Sequence, residues 1–238
     1  MNFDKFSPLL GTWATKLKPF IESKECDNIY AQLKEASRDG KVICPVSTET
    51  FRAFEKTPYE DLKVVFWAQN PYPWFKNGVM VADGIALSCS HTQILQPSLQ
   101  LFYEGIEKDI GLNISAYRDP DLSYLCKQGI MMLNTSLTVE ENKPGSMVEL
   151  WLPFMRYLIE EVFNKYNPGL IFVLSGSCSM FLEKYIDPLM HHIIKVEHPS
   201  RAAHELRSWD HQNLFTKINK LLKEYYNFEP LWLQEVPF

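Results

Sequence analysis

Four short polar groups stand directly behind runs of apolar residues, and their types suit catalysis by charge stabilisation. Gln69-Asn70 follows LKVVFWA, Asn134-Thr135-Ser136 closes GIMMLN, Ser175-Gly176-Ser177 follows GLIFVL, and Glu197-His198-Pro199-Ser200 follows IIKV. A primary amide can hold a water or read a hydrogen-bonding edge. An imidazole or a hydroxyl can donate or accept a hydrogen bond. At Asn70 an amide stands where a carboxylate would do more, because an amide cannot take up a proton. Each residue alone also has a plainer reading: Asn134 as a cap, His198 as a loop histidine, Pro71 and Pro73 as turn formers.

The elements that must position these groups follow from hydrophobic periodicity. Continuous apolar runs at 62–68, 129–134, 169–174 and 193–196 predict strands buried on both faces. Helical spacing is expected over 12–37, over 97–110 (Leu99, Phe102, Ile106, Ile110) and over 148–165 (Leu150, Phe154, Tyr157, Leu158, Val162). Strands alternating with helices imply an α/β fold, a central four-stranded parallel sheet flanked by helices, whose ligand site lies at the carboxyl ends of the strands. That is where the polar groups fall.

The 238 residues, 46% hydrophobic and 13% aromatic, suffice for one well-buried domain spanning 1–238. Five cysteines, at 26, 44, 89, 126 and 178, form no CxxC pair and have no histidine at metal spacing. Neither a zinc site nor a disulfide framework is expected, and the compartment should be reducing. The first twenty residues interrupt their apolar run with charges, and no segment reaches the roughly 18 apolar residues of a membrane span. The expectation is a protein that is neither secreted nor membrane-bound, cytoplasmic or, in a eukaryote, nuclear. A net charge of −5 weighs against a nucleic-acid partner only weakly, since one local basic face suffices.

Four stretches in order, ICPVSTETFRAFEKTPYEDLKVVFWAQNPY (43–72), QPSLQLFYEGIEKDIGL (96–112), GIMMLNTSLTV (129–139) and VEHPSRAA (196–203), resemble uracil-DNA glycosylase. The similarity runs from about Trp13 to Trp232. It implies a monomeric enzyme, free of metal and cofactor, that flips a nucleotide out of DNA and hydrolyses its N-glycosidic bond to leave an abasic site. By this resemblance His198 donates to the base oxygen on which charge develops, and Asn134 reads the Watson–Crick edge. Tyr72 guards the base's 5-position, and Gln69 lines the pocket through its backbone. Ser98, Ser177, Ser200 and Arg201 meet the DNA.

The departures from the family pattern concern the pocket. Most members have an aspartate where Asn70 stands; related mismatch-type thymine glycosylases resemble this chain in having an asparagine there, so Asn70 is assigned to water positioning, with Asp83 as the fallback. The base-stacking phenylalanine is Leu87, the histidine after the tyrosine is Pro73, and the loop 73–84 is longer and brings Trp74 and Phe75. The family's DNA-inserting leucine matches Ala202, so Arg201 or a residue of HELRSW (204–209) would have to replace it, and Arg201, Arg207, Lys76 and Lys143 would supply local positive charge. Together these differences lean slightly toward a bulky modified pyrimidine, such as a 5-substituted phage-type cytosine in antiviral defence. Ordinary uracil repair is the alternative, and a catalytically weak DNA-binding or scaffold relative is the alternative of another class.

Overall fold

In the structure, a computed structural model, residues 3–111, 117–166 and 168–234 are described; Leu112, the last residue of the 96–112 stretch, lies outside them. Four parallel strands form the central sheet: β1 (Val64–Ala68), β2 (Ile130–Asn134), β3 (Ile171–Ser175) and β4 (His192–Val196), in the spatial order β2-β1-β3-β4. Every residue of β1, β2 and β3 is buried, which is why these runs are apolar without alternation. The edge strand β4 is only partly covered, and its sequence HIIKV is correspondingly mixed.

Register brings the carboxyl ends level. Ala68 pairs with Asn134, and Ser175 with Val196, so Gln69, Thr135, Gly176 and Glu197 all leave the sheet at one edge. The first three strands begin later than the apolar runs suggest, and β4 begins one residue earlier. Lys63 and Val64 both donate to the Gly129 carbonyl, which makes that stretch a junction before the ladder proper.

The helical stretch expected over 12–37 is broken. Phe3–Leu10, a 3-10 turn at Gly11–Trp13, Ala14–Ile21 and Lys24–Arg38 follow one another. The last break falls at Ser23, whose side chain accepts from the Cys26 N–H and starts a fresh helix. Pro97–Ile110 is helical as its spacing implies, burying Leu99, Phe102 and Ile106, and it ends at Gly111 in the left-handed conformation. The 148–165 stretch runs as an α-helix over Val148–Tyr157 and as a π-helical segment over Leu158–Phe163. A helix at Leu214–Tyr226 and two short ribbons, Ile43–Cys44 with Val139–Glu140 and Phe75–Lys76 with Val79–Met80, complete the elements used below.

An aromatic core surrounds the sheet. Trp13 meets Phe54, Tyr59 and Phe163 edge-on at 5.0–6.0 Å, and its indole donates to Thr57 O at 2.6 Å. The cysteines are free thiols. Among the described residues no helix is long and apolar enough to cross a membrane, and no His/Cys/Asp/Glu group could hold a metal ion.

Candidate active site

A cavity of about 320 Å³ opens at the carboxyl edge of the sheet, near the lower end of the roughly 300–1,000 Å³ common for small-molecule sites. Gln69, Asn70, Tyr72, Leu87, Ser98, Asn134, His198, Ser200 and Arg201 line it; of the other residues singled out in the sequence, Ser177, exposed at the start of the short helix Ser177–Met180, stands outside, as do Phe75, Lys76, Asp83, Lys143, Ala202 and Arg207.

The floor is built by the ends of β1 and β2. Thr135 donates to Ala68 O through both its N–H (3.1 Å) and its hydroxyl (2.7 Å), and Ser136 N–H donates to Gln69 O at 3.1 Å. These bonds fix Asn134, whose Oδ1 is buried and without a hydrogen-bond partner. A buried acceptor left unpaired costs about 1–3 kcal/mol, so this atom is poised for a donor from a ligand. Asn70 is held differently: its Nδ2 donates to Pro71 O at 2.7 Å and its Oδ1 accepts from Gly145 N–H at 3.1 Å. One lone pair of that oxygen remains for a water. The Gly145 contact was not foreseen, although Pro144-Gly145 is a turn signal in the sequence.

His198 starts the helix Pro199–His204, and its Nδ1 accepts from Ser200 N–H at 3.1 Å, with Ser200 Oγ 2.7 Å away. The ring proton therefore sits on Nε2. Burial lowers the imidazole pKa to about 4, so the ring is neutral near pH 7 and acts as a donor without a charge of its own. Gly176, at φ +87°, permits this placement, since a Cβ there would lie 2.8 Å from His198 Cβ.

Tyr72 closes the side wall. Its hydroxyl donates to Leu87 O at 3.1 Å and shares a 2.8 Å hydrogen bond with Ser98 Oγ, while its ring lies 5.3 Å from Trp74. Burial pushes the phenol well above its ordinary pKa, against the opposing Ser98 hydrogen bond. Ser98 is itself buried. Leu87 adopts φ +63°, a strained conformation for a leucine, and presents its carbonyl to Tyr72.

What holds Leu87 is the buried carboxylate of Asp83. It accepts from Ile85 N–H (3.1 Å), Ser88 Oγ (2.6 Å), Ser90 N–H (3.0 Å) and Ser90 Oγ (2.6 Å), and pairs with Arg52 at 2.8 Å. Burial works against the Arg52 charge, but Asp83 and Asp121 outweigh it and raise the guanidinium pKa. Asp83 is thus fully committed to shaping the 83–90 turn, which overturns its choice as fallback for positioning water. Gly84, at φ +87°, is required there because a Cβ would stand 1.9 Å from Glu49 O. The long 73–84 loop becomes a small hairpin turning at Asn77-Gly78, with Phe75 and Val79 partly exposed.

The rim carries less free positive charge than the sequence suggests. Arg201 pairs with Glu197 (3.5 Å) and Glu205 (3.0 Å), Arg207 with Glu197 (2.7 Å) and Glu205 (2.6 Å), and Lys143 with Glu140. Ala202 is fully buried.

A cavity at the carboxyl edge of a four-stranded parallel sheet, with an amide and a neutral imidazole lining it, is the arrangement of an α/β protein that binds a polar ligand at its strand ends. Comparison with known proteins gives the family. The uracil DNA glycosylase superfamily profile matches residues 54–223. The chain is 34% identical over 224 residues to a uracil-DNA glycosylase of Coxiella burnetii, covering 93% of each, and 34% identical over 220 residues to one of Pseudomonas aeruginosa, covering 91% of this chain and 90% of that one. The crystal structure of mimivirus uracil-DNA glycosylase superposes with a TM-score of 0.85 at 25% identity, covering 98% of this chain and 90% of that one. The chain belongs to the uracil-DNA glycosylase superfamily and is a DNA glycosylase.

Proposed function

We propose that the protein releases uracil from DNA as the first step of base excision repair. The observation that carries this reading is the unpaired Oδ1 of Asn134. It calls for an N–H on the base edge, which uracil presents at N3; cytosine has an acceptor at N3 and carries its donor at the N4 amino group, where uracil has a carbonyl. The fixed Tyr72 supports the same choice: anchored to both Leu87 and Ser98, the ring stands against a substituent at the 5-position. A bulky modified pyrimidine would need Tyr72 to swing away, and the 75–80 hairpin forms without drawing it aside. The relatives at 34% identity are uracil-DNA glycosylases, and nothing in the comparisons favours a modified base or antiviral defence.

In this mechanism the flipped base enters the cavity, and His198 Nε2–H donates to the base carbonyl oxygen that gains negative charge as the bond to the sugar breaks. Asn70 Oδ1 orients the attacking water. Neither residue changes protonation state: the base leaves as an anion, and the proton the water gives up on joining the sugar carbon ends on that anion through solvent. Ser200, at the cavity mouth, and Ser177, outside it, are candidates for phosphate contacts, whereas the Ser98 hydroxyl serves to fix Tyr72.

The test offers DNA duplexes carrying uracil, a thymine mismatch or a 5-substituted cytosine, and follows alkali-sensitive sites and free base by mass spectrometry. Release of uracil alone is the expected result. Release of the 5-substituted base with uracil untouched would overturn the assignment.

A further inference from the structure

We propose that Arg52 and Asp83 are positioning residues for base choice: acting through Leu87 and Tyr72 from outside the cavity, they set how strictly a methyl group at the base's 5-position is refused, an assignment that rests on the uracil reading. Ala82, Ile85, Leu87 and Ser88 line the cavity on this side, together with Tyr72. Arg52 and Asp83 do not, and the Asp83 side chain is fully buried.

The pair ties three segments of the chain together. Arg52, on the short helix Arg52–Lys56, reaches Asp83 at 2.8 Å with one guanidinium nitrogen and Asp121 at 2.9 Å with another. Ser88 Oγ, besides its bond to Asp83, accepts from Leu122 N–H at 3.2 Å, and Cys89 N–H donates to Pro120 O at 2.9 Å. Ala86 N–H donates to Met132 O of β2 at 3.0 Å. The 83–90 turn is therefore held from the sheet, from the Arg52 helix and from the 120–122 segment.

What this bracing keeps in place is a strained residue. Leu87 at φ +63° persists only where its surroundings over-determine it. Its carbonyl is one of two anchors of the Tyr72 hydroxyl, the other being Ser98 Oγ. If the turn relaxes, Tyr72 keeps the Ser98 bond and can pivot about it. A buried ion pair is a weak means of gaining stability, because desolvation offsets the attraction. Its use here is to hold one backbone conformation. Asn134 and His198 are fastened by other bonds, those of Thr135 and Ser136 to β1 and those of Ser200, so a relaxed turn loosens the side wall and leaves both groups where they are.

The test compares wild type, Asp83→Asn, Ser90→Ala, Tyr72→Ala and the double variant of Asp83→Asn with Tyr72→Ala, each checked for folding by circular dichroism and thermal melting. Ser90 Oγ donates to Asp83 at 2.6 Å and does not line the cavity, so Ser90→Ala is the milder lesion should Asp83→Asn not fold. Single-turnover release is followed from duplexes carrying uracil or thymine opposite guanine, and binding of free uracil and free thymine is titrated by calorimetry. One methyl group is worth roughly 10–200-fold to a fitted pocket. Asp83→Asn should raise thymine relative to uracil on the order of tenfold, in rate or in affinity, while uracil release falls only several-fold. Ser90→Ala should shift the ratio the same way by about two- to threefold. In the Tyr72→Ala background Asp83→Asn should add nothing to the ratio, since the residue through which it acts is gone. An unchanged ratio in the folded variants, with both bases affected equally, or a full further shift on top of Tyr72→Ala, overturns the inference and leaves the pair a purely structural one. Failure of wild type to release uracil while it still binds the free bases defeats the uracil reading alone, because their affinities continue to compare the variants. A protein that neither binds nor releases either base overturns both.

Discussion

The floor of the cavity and its rim are built on different terms. On the floor, Thr135, Ser136 and Gly176 are fastened to backbone at fixed distances, and the strand register leaves little freedom. Two groups are left open to a ligand, Asn134 Oδ1 and the Nε2–H of His198. The rim is made of exposed ion pairs and a two-strand hairpin. The contrast teaches that polar groups are held firmly where the sheet over-determines side-chain position, and that the rim is built where substitution costs the fold little.

The strongest way to break this contrast is to remove the open groups. His198→Ala and Asn134→Ala should each lower uracil release on the order of a hundredfold or more, with circular dichroism and melting temperature close to wild type. A wild-type rate in either variant would mean that the floor is not where the chemistry happens.

Next is Asn70, at the border between the two regions. Asn70→Ala removes the water's acceptor and should slow release on the order of tenfold. Asn70→Asp should accelerate release, because a carboxylate faces the sugar's developing positive charge. It should also lower the melting temperature: the variant exchanges a donor 2.7 Å from Pro71 O for an anionic oxygen. Single-turnover kinetics beside calorimetry would check both signs. A slower and equally stable aspartate variant would count against the water assignment.

How far the sequence foretold this arrangement depends on what made each feature. The strand ends were legible because burial on both faces leaves continuous apolar runs, and the residue after each run had to be polar. The Leu214–Tyr226 helix was missed although Leu214, Phe215, Ile218 and Leu222 carry helical spacing and are buried. The ribbon pairing Ile43–Cys44 with Val139–Glu140 has two-residue strands almost a hundred positions apart, and neither leaves a periodic signal. Asp83 read as a loop acid open to chemistry, because its partner Arg52 lies 31 positions upstream. The basic rim failed likewise: Arg201 and Arg207 stand beside Glu197 and Glu205 in sequence, and only their geometry shows the charges matched.

A smaller effect tests whether the floor holds by close approach. Gly176→Ala places a methyl group 2.8 Å from His198 Cβ and should displace the ring. The expected loss is several-fold in kcat with KM little changed, together with about 1 kcal/mol of stability for the positive φ. Kinetics and thermal melts of this one variant separate the two effects, and a changed KM with normal kcat would point to the phosphate contacts instead.

The smallest expected effect is in the pH dependence of stability, and it isolates the burial of His198. The folded pKa is about 4, lowered by burial from the ordinary 6.5. Above pH 6.5 the ring is neutral in both folded and unfolded chains, and its contribution is fully present. As pH falls below 6.5 the unfolded chain takes up a proton that the folded chain refuses until about pH 4, so stability drops through that window by at most about 1.4 kcal/mol per pH unit. His191, also lowered by burial, gives a slope of the same sign, and Asp119, raised by burial, gives the opposite one at lower pH. The difference between wild type and His198→Gln cancels both. Denaturant unfolding of the two proteins at several pH values from 7 to 4.5 should therefore show the wild type losing stability faster on acidification. Parallel curves would mean that His198 titrates as it does in water, and that the floor of the cavity is wetter than its packing implies.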